Sequence, residues 1–273
     1  MPTIVVHTAR SEFRIRRAFR DIVSATLHPH LWLVLGWLEV KQKYRRSKIG
    51  PFWITLSLGI MVAALGVVYS RLLDAEPRDY IPSLAAGLII WQLIAGLIND
   101  GCTAFLAFDG VIKQLPAPLG VHLLRAVWRN FIILGHNMIV YILVMLIYLK
   151  NPGLVFFLAP VGLALIALNG AACGMILGVL SARFRDIPPI VSNAVQLIFF
   201  ITPVLWRPEN LKSRVWVVDW NPLYYLLEIV RRPLVGESPP LSFWAIAIGF
   251  TIASLAVGFS LFARFRGRVA YWV

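Results

Sequence analysis

Six stretches of this chain run for twenty or more residues without an Asp, Glu, Lys or Arg: residues 51–70, 80–99, 130–149, 151–182, 187–206 and 238–263. At a rise of about 1.5 Å per residue, about 20 helical residues cross a hydrocarbon core about 30 Å thick. The runs therefore predict an all-α polytopic membrane protein with six transmembrane helices. Composition agrees, because 59% of residues are hydrophobic and 14% charged, whereas soluble chains carry about a quarter charged residues. The fourth run is 32 residues long, too long for one upright helix and too short for two helices of about 17 residues with a turn. Pro152, Gly153 and Pro160 can place the excess in a loop or at a helix start.

Basic residues gather on alternate sides of these runs. Ten precede the first one: Arg10, Arg14, Arg16, Arg17, Arg20, Lys41, Lys43, Arg45, Arg46 and Lys48. With Lys113, Arg125, Arg129, Arg183, Arg185, Arg264, Arg266 and Arg268, one side holds 18 of the 26 basic residues. The other side holds 8, offset by seven acids. The positive-inside rule then puts both termini in the cytoplasm. The net charge of +13 is read accordingly as a topology signal and as contact with anionic lipid, not as a nucleic-acid footprint. No short apolar core with a small-residue cleavage site begins the chain, so no removable signal peptide is expected. Cys102 and Cys173 are the only cysteines and imply neither a disulfide framework nor a metal site.

Two stretches are apolar yet do not span. Residues 1–50 form a cytoplasmic N-terminal region in which Ile15, Phe19, Ile22, Val23 and Thr26 recur at helical spacing, as in an amphipathic helix lying in the interface. Leu31, Val34, Leu35 and Leu38 continue a stripe into a basic cluster, and this part serves either as a movable gate or docking helix on the cytoplasmic face or as a static anchor. Residues 207–237 mix charge with Trp216, Trp220, Tyr224 and Tyr225, and Asn221-Pro222 and Arg232-Pro233 break them into short pieces. Short re-entrant helices between spans 5 and 6 fit that mixture, as does an amphipathic loop resting on the membrane.

Chemistry is sparse. The dipeptide Gly-Lys that ends a P-loop occurs nowhere, and no zinc-protease or nucleophile-elbow motif is present. Asp100 and His136 are the only strongly ionisable groups in or beside a span, and both have an ordinary reading: Asp100 reaches headgroups and His136 stays neutral. The chain is therefore not expected to be an enzyme, and no catalytic residue, metal or cofactor is assigned to it. Aromatic residues are plentiful, with 10 Trp, 16 Phe and 8 Tyr. Many belong to interface belts or the core. Trp53, Tyr69, Trp91, Phe199, Phe200, Trp206, Tyr224 and Tyr225 are candidates for a channel whose rings let a sugar polymer slide over many weak sites.

The segment Tyr44-Arg45-Arg46-Ser47-Lys48-Ile49-Gly50-Pro51-Phe52-Trp53 resembles the start of the first span in ABC-2 type exporter permeases, in particular the Wzm-like subunits that export O-antigen polysaccharide. Three later segments strengthen the likeness. They are Asn99-Asp100-Gly101-Cys102-Thr103-Ala104-Phe105 with Gly110-Val111-Ile112-Lys113-Gln114, then Ala182-Arg183-Phe184-Arg185-Asp186-Ile187-Pro188, then Trp220-Asn221-Pro222-Leu223-Tyr224-Tyr225-Leu226-Leu227-Glu228-Ile229-Val230-Arg231. The tail Arg268-Val269-Ala270-Tyr271-Trp272-Val273 follows the pattern too. The likeness runs from about residue 31 onward; residues 1–30 match no pattern, and Asp100 stands where relatives often have Glu.

The resemblance implies an ABC-2 transmembrane domain over 51–263, with a cytoplasmic coupling helix near 103–118, a periplasmic re-entrant segment near 207–237 and a cytoplasmic tail at 264–273. It implies a homodimer working with two copies of a separate Wzt-like nucleotide-binding ATPase, which would bind ATP and Mg and move an undecaprenyl-pyrophosphate-linked glycan. Asp109, Lys113 and Gln114 would meet that ATPase. Arg45, Arg46 and Lys48 would meet the lipid pyrophosphate at the entrance, where forked guanidinium donors suit phosphate. Two alternatives remain open: an ABC-2 exporter of capsule, teichoic acid, drug or lipid, and a stand-alone channel.

Overall fold

The computed structural model describes residues 3–43, 45, 50, 52–114, 117–206 and 216–273, and every regular element among them is helical. In chain order these are α1 (Thr3–Leu27), α2 (Pro29–Lys43), α3 (Phe52–Leu72), α4 (Pro77–Thr103), α5 (Asp109–Gln114), α6 (Gly120–Ile147), α7 (Ala159–Arg183), α8 (Ile187–Ile201), α9 (Trp216–Asp219), α10 (Pro222–Leu234) and α11 (Leu241–Trp272). Helices α3, α4, α6, α7 and α11 are long and apolar enough to cross a membrane, and α8 is a shorter apolar helix. The chain is a multi-pass membrane protein.

The centre of the molecule is the contact of α4 with α7. Gly170, Gly174 and Gly178 recur every fourth residue and so share one face of α7. A Cβ at Gly170 would fall 2.8 Å from Leu97, and one at Gly178 would fall 3.0 Å from the Gly101 carbonyl oxygen. From the opposite side, a Cβ at Gly101 would lie 3.0 Å from the Gly174 Cα. Small residues at this spacing let membrane helices approach backbone to backbone, where dispersion rather than water exclusion holds them. Polar groups join α7 to α11 further along: Asn169 donates to Thr251 Oγ1 at 2.7 Å, and Ser254 donates to Asn169 Oδ1 at 2.8 Å. By contrast α3 buries only a single stripe of Thr55, Leu58, Val62, Gly66 and Ser70, leaving its other faces exposed.

The 32-residue uncharged run is one spanning helix, α7, preceded by a 3-10 turn at Gly153–Leu158, with Pro160 in the first turn of the helix. The fifth run divides instead. Helix α8 stops at Ile201 because Pro203 disfavours helical backbone at the residue before it, and Thr202 is extended with φ −79° and ψ 131°. Thr202 N–H makes the last helical bond, to the Ile198 carbonyl at 2.8 Å, and residues 203–206 continue without one, so their carbonyls need other donors. Arg231 donates to the Pro203 carbonyl at 2.8 Å, and the Tyr80 hydroxyl donates to the Leu205 carbonyl at 2.6 Å. Arg231 comes from α10, where Glu228 pairs with both Arg231 and Arg232. Asn221 caps α10 through Leu223 N–H at 3.0 Å, beside Pro222 in the first turn.

The N-terminal helices lie against the ends of the spans. On α1, Ala18, Asp21 and Ala25 are buried while Ile15 and Phe19 point outward. Asp21 accepts the Gly120 N–H at 3.1 Å, so α1 supplies the cap that the start of α6 lacks locally, and a carboxylate there suits the positive end of the helix. The opposite oxygen of Asp21 pairs with Arg266 of α11. Pro29 opens α2, whose Gly36 sits so near Trp128 of α6 that a Cβ would come within 2.8 Å of that ring.

Replacing Gly101 with Val would drive a side chain into the α7 backbone, which has no rotamer with which to yield. We expect a loss of about 1–3 kcal/mol, read as a lower unfolding midpoint in detergent. Gly135→Ala, which meets nothing within 4 Å, is expected to leave the midpoint unchanged or slightly raised.

Candidate functional site

Between α2, α3, α4 and α6 lies a groove of about 850 Å³, with Trp53, Gln92 and Asn130 among its lining residues. One wall is an ion-pair network drawn from three helices. Arg125 and Arg129 are one turn apart on α6, a like-charged pair that is unfavourable alone. Glu39 of α2 lies between them, with one oxygen on Arg125 and the other 2.9 Å from Arg129. Arg129 also pairs with Asp100 of α4, its Nε donating at 3.0 Å. Asn130 donates to the same carboxylate at 2.6 Å and to the Ala126 carbonyl at 2.9 Å. Two cations thus meet two anions, which a low-dielectric site requires. Gly96, one turn before Asp100, leaves the room that Asn130 occupies: a Cβ there would fall 2.1 Å from the amide oxygen.

Arg125 is also the floor of the segment that follows α4. Its guanidinium carbon lies 4.0 Å from the Phe108 ring centroid, and Nη2 donates to the Ala104 carbonyl at 3.4 Å. The Phe108 ring also meets His122, with centroids 5.3 Å apart. Phe108 immediately precedes α5, so a single buried cation touches both the turn leading to α5 and, through Glu39, the helix α2.

Of the residues singled out in the sequence, Asp109 and Lys113 sit exposed on α5, with Asp109 accepting the Gly110 N–H at 2.7 Å; the side chain of Gln114 lies outside what is described. Arg45 is exposed just after α2, while Arg46 and Lys48 lie outside the described residues. Asp100 belongs to the ion-pair network. His136 turns to α3: its Nδ1 donates to the Ile132 carbonyl at 2.8 Å, and its own carbonyl accepts from Thr55 at 3.1 Å.

The eight aromatic residues separate into distinct places. Trp53 is half exposed at the groove. Tyr69, sixteen residues along α3, packs on the main core. Trp91, Phe199 and Phe200 form a chain with centroids 5.6 and 5.4 Å apart, and Trp206 Nε1 donates to the Phe200 carbonyl at 3.3 Å. Tyr224 and Tyr225 are buried around Phe243, each with its ring 5.1 to 5.6 Å from that centroid. Burial, with the Glu228 carboxylate adding to it, pushes the Tyr224 phenol up to about 12, so it is neutral at any working pH.

Sequence reasoning read Arg125 and Arg129 as topology charges and passed over Glu39 and Phe243. A signal was present: two arginines at i, i+4 entering an apolar helix, with single carboxylates at the ends of two other apolar segments. Which charges would meet is a tertiary fact that the pattern does not carry.

Comparison with known proteins sets this geometry in a family. The ABC-2 type transporter description matches residues 30–235, which contain the groove, α5 and α10. The chain is similar to an O-antigen export system permease protein RfbA of Klebsiella pneumoniae, 24% identical over 246 residues that cover 88% of this chain and 93% of that protein. It is also similar to an O-antigen export system permease protein RfbA of Myxococcus xanthus, 25% identical over 196 residues covering 69% of this chain and 74% of that one. With most of its length matched and its spans in place, the chain belongs to the ABC-2 type transporter family.

Proposed function

We propose that this permease is the membrane-spanning subunit of an ATP-driven exporter that carries a lipid-linked polysaccharide of O-antigen type across the bacterial inner membrane. It works as a homodimer with two copies of a separate nucleotide-binding ATPase. ATP and Mg are held by that partner and supply the energy. The names of its relatives support the substrate class. Within this chain the reading is carried by Arg125, shared between Phe108, next to the proposed docking helix α5, and Glu39 of the proposed gate helix α2.

Movement of the ATPase against Asp109 and Lys113 shifts the turn at Phe108. Because Arg125 is buried and paired on both sides, displacement of the ring is passed to Glu39 and so to α2, which borders the groove. The lipid pyrophosphate enters beside Arg45, Arg46 and Lys48, and the glycan follows. Among the candidate aromatics, Trp53 and Phe200 offer exposed faces of 52% and 68% for stacking on sugar rings. Tyr224 and Tyr225 brace α10 at the other end of the path.

The proposal is tested in cells carrying the exporter with its ATPase and in the purified chain. Phe108→Ala is expected to lower surface polysaccharide at least about fivefold, the low end of a coupling free energy of ordinary size, while the complex still co-purifies; undiminished export would refute the transmission path. Glu39→Ala strands Arg125 and is expected to cost about 3–5 kcal/mol in detergent unfolding. The pair Glu39→Leu with Arg125→Met recovers most of that stability but not export. Charge reversal at both Asp109 and Lys113 is expected to abolish co-purification of the ATPase, and retained assembly with coupled ATP hydrolysis would remove α5 from the docking surface. Analysis of accumulated lipid-linked intermediates in a deletion strain identifies the cargo, and teichoic acid or capsule precursors in place of O-antigen would reassign it.

A further inference from the structure

Helix α10 begins deep in the molecule. Its Leu223 and Leu226 line an apolar cavity of about 250 Å³ together with Ile94 of α4 and Asn169 of α7. Asn169 stands about 15 Å inside α7, and Ile94 stands about 25 Å from the start of α4. Against a hydrocarbon core of about 30 Å, that is half its depth or more. From there α10 climbs back. A Cβ at Gly87 of α4 would lie 3.4 Å from Arg231, the Leu234 carbonyl accepts from the Tyr141 hydroxyl at 2.7 Å, and a Cβ at Gly236 would lie 3.2 Å from Pro152 in the loop before α7. The turn that leads into α10, Asp219-Trp220-Asn221, is therefore carried to the middle of the membrane.

That turn is fixed on one side and bare on the other. Asn221 donates from its side chain to Thr202 Oγ1 at 2.8 Å and from its N–H to the Val218 carbonyl at 3.0 Å. The Tyr225 hydroxyl donates to the Asp219 carbonyl at 3.1 Å, and Val218 is buried with Tyr224 and Tyr225. Yet Trp220 is 85% exposed, and Asp219 beside it is exposed as well. Among the described residues no cation pairs with the carboxylate and no ring packs on the indole. Charged groups at membrane depth face water-filled cavities, because hydrocarbon penalises them. The bare side of the turn thus looks onto water. An ionised carboxylate only accepts hydrogen bonds, and an open indole offers an apolar face. A sugar ring uses both, with hydroxyls along its edge and C–H groups across its face, whereas an acidic polymer is repelled.

We propose that Asp219 and Trp220 form a binding station for a neutral sugar half-way along the export path, the carboxylate accepting from two adjacent hydroxyls while the indole stacks on the ring. The station presupposes the polysaccharide cargo proposed above and selects, within that class, chains whose repeat carries free hydroxyl pairs and no acidic groups. A charge-assisted hydrogen bond is stronger than a neutral one, so each sugar is held between strokes of the ATPase and the chain does not slip back.

The assembled exporter, full chain with its ATPase, is purified and given maltohexaose as a neutral probe or the hexamer of galacturonic acid as an acidic one, with binding read by saturation-transfer NMR. Maltohexaose is expected to bind, and the acidic hexamer more weakly. Asp219→Asn and Trp220→Ala are each expected to weaken maltohexaose binding about tenfold, with the unfolding midpoint and the co-purified ATPase unchanged, and Asp219→Asn narrows the gap between the two probes. In a chain carrying Cys102→Ala and Cys173→Ala, Trp220→Cys is expected to react with a membrane-impermeant maleimide, which reads water at that depth whether or not the sugar-binding variants fold well. Absence of maltohexaose binding, undiminished binding in both variants, or an unreactive Trp220→Cys overturns the station. Failure of the cargo reading looks different: capsule or teichoic acid precursors accumulate in the deletion strain, whereas failure of the station alone leaves O-antigen precursors accumulating there while the variants bind sugar as the parent does.

Discussion

Everything else in the fold is hung on the close approach of α4 to α7. Between membrane helices there is little water to expel, so association rests on how near two backbones can come. Gly101, Gly174 and Gly178 reduce that separation to the limit set by main-chain atoms. The close approach has two effects. It brings Leu97 and Phe105, at either end of the seam, into the glycine face of α7. It also fixes the direction of α4, and with it where Asp100 presents its carboxylate to α6.

The buried ions then act as fasteners for the elements that do not span. Glu39 ties α2 to α6, Asp21 ties α1 to both α6 and α11, and Arg231 ties α10 to the irregular segment after α8. In each case a helix that does not span is held to one that does, or to its continuation. Buried pairs of this kind add little net stability over apolar packing, but losing one partner is costly. They favour a small number of discrete arrangements over a continuum. A permease that must pass between states without slackening has use for that property.

Much of this was legible in the residues. The uncharged runs mark the spans because hydrocarbon admits few charges, and the proline positions in the fourth run mark where its helix begins. The outward Ile15 and Phe19 follow the apolar stripe of α1, whereas the burial of Ala18 and Ala25 on its other side depends on the spans they meet. The division of the fifth run was less visible, since Thr202-Pro203 looks like an ordinary interruption until Arg231 and Tyr80 are seen to serve the freed carbonyls. Likewise the glycines at 170, 174 and 178 lie in plain sight as a four-residue repeat, but only their partner helix gives them meaning. Tyr224 and Tyr225 look like surface for a sugar chain and are found packed around Phe243, because the mixture of charge and ring that suggests an amphipathic loop equally suits a helix wedged between spans.

The early end of α8 has a consequence for how the bilayer is met. Fifteen helical residues measure about 22 Å, less than a hydrocarbon core of about 30 Å. The remaining depth falls to residues 202–206, where Val204 and Leu205 are buried in the core and the carbonyls of Pro203 and Leu205 accept from Arg231 and Tyr80. Irregular backbone is tolerated at membrane depth only where protein covers it. The segment therefore keeps its place only while α4 and α10 hold those two donors against it, and a shift of either helix sets main-chain carbonyls loose inside the bilayer.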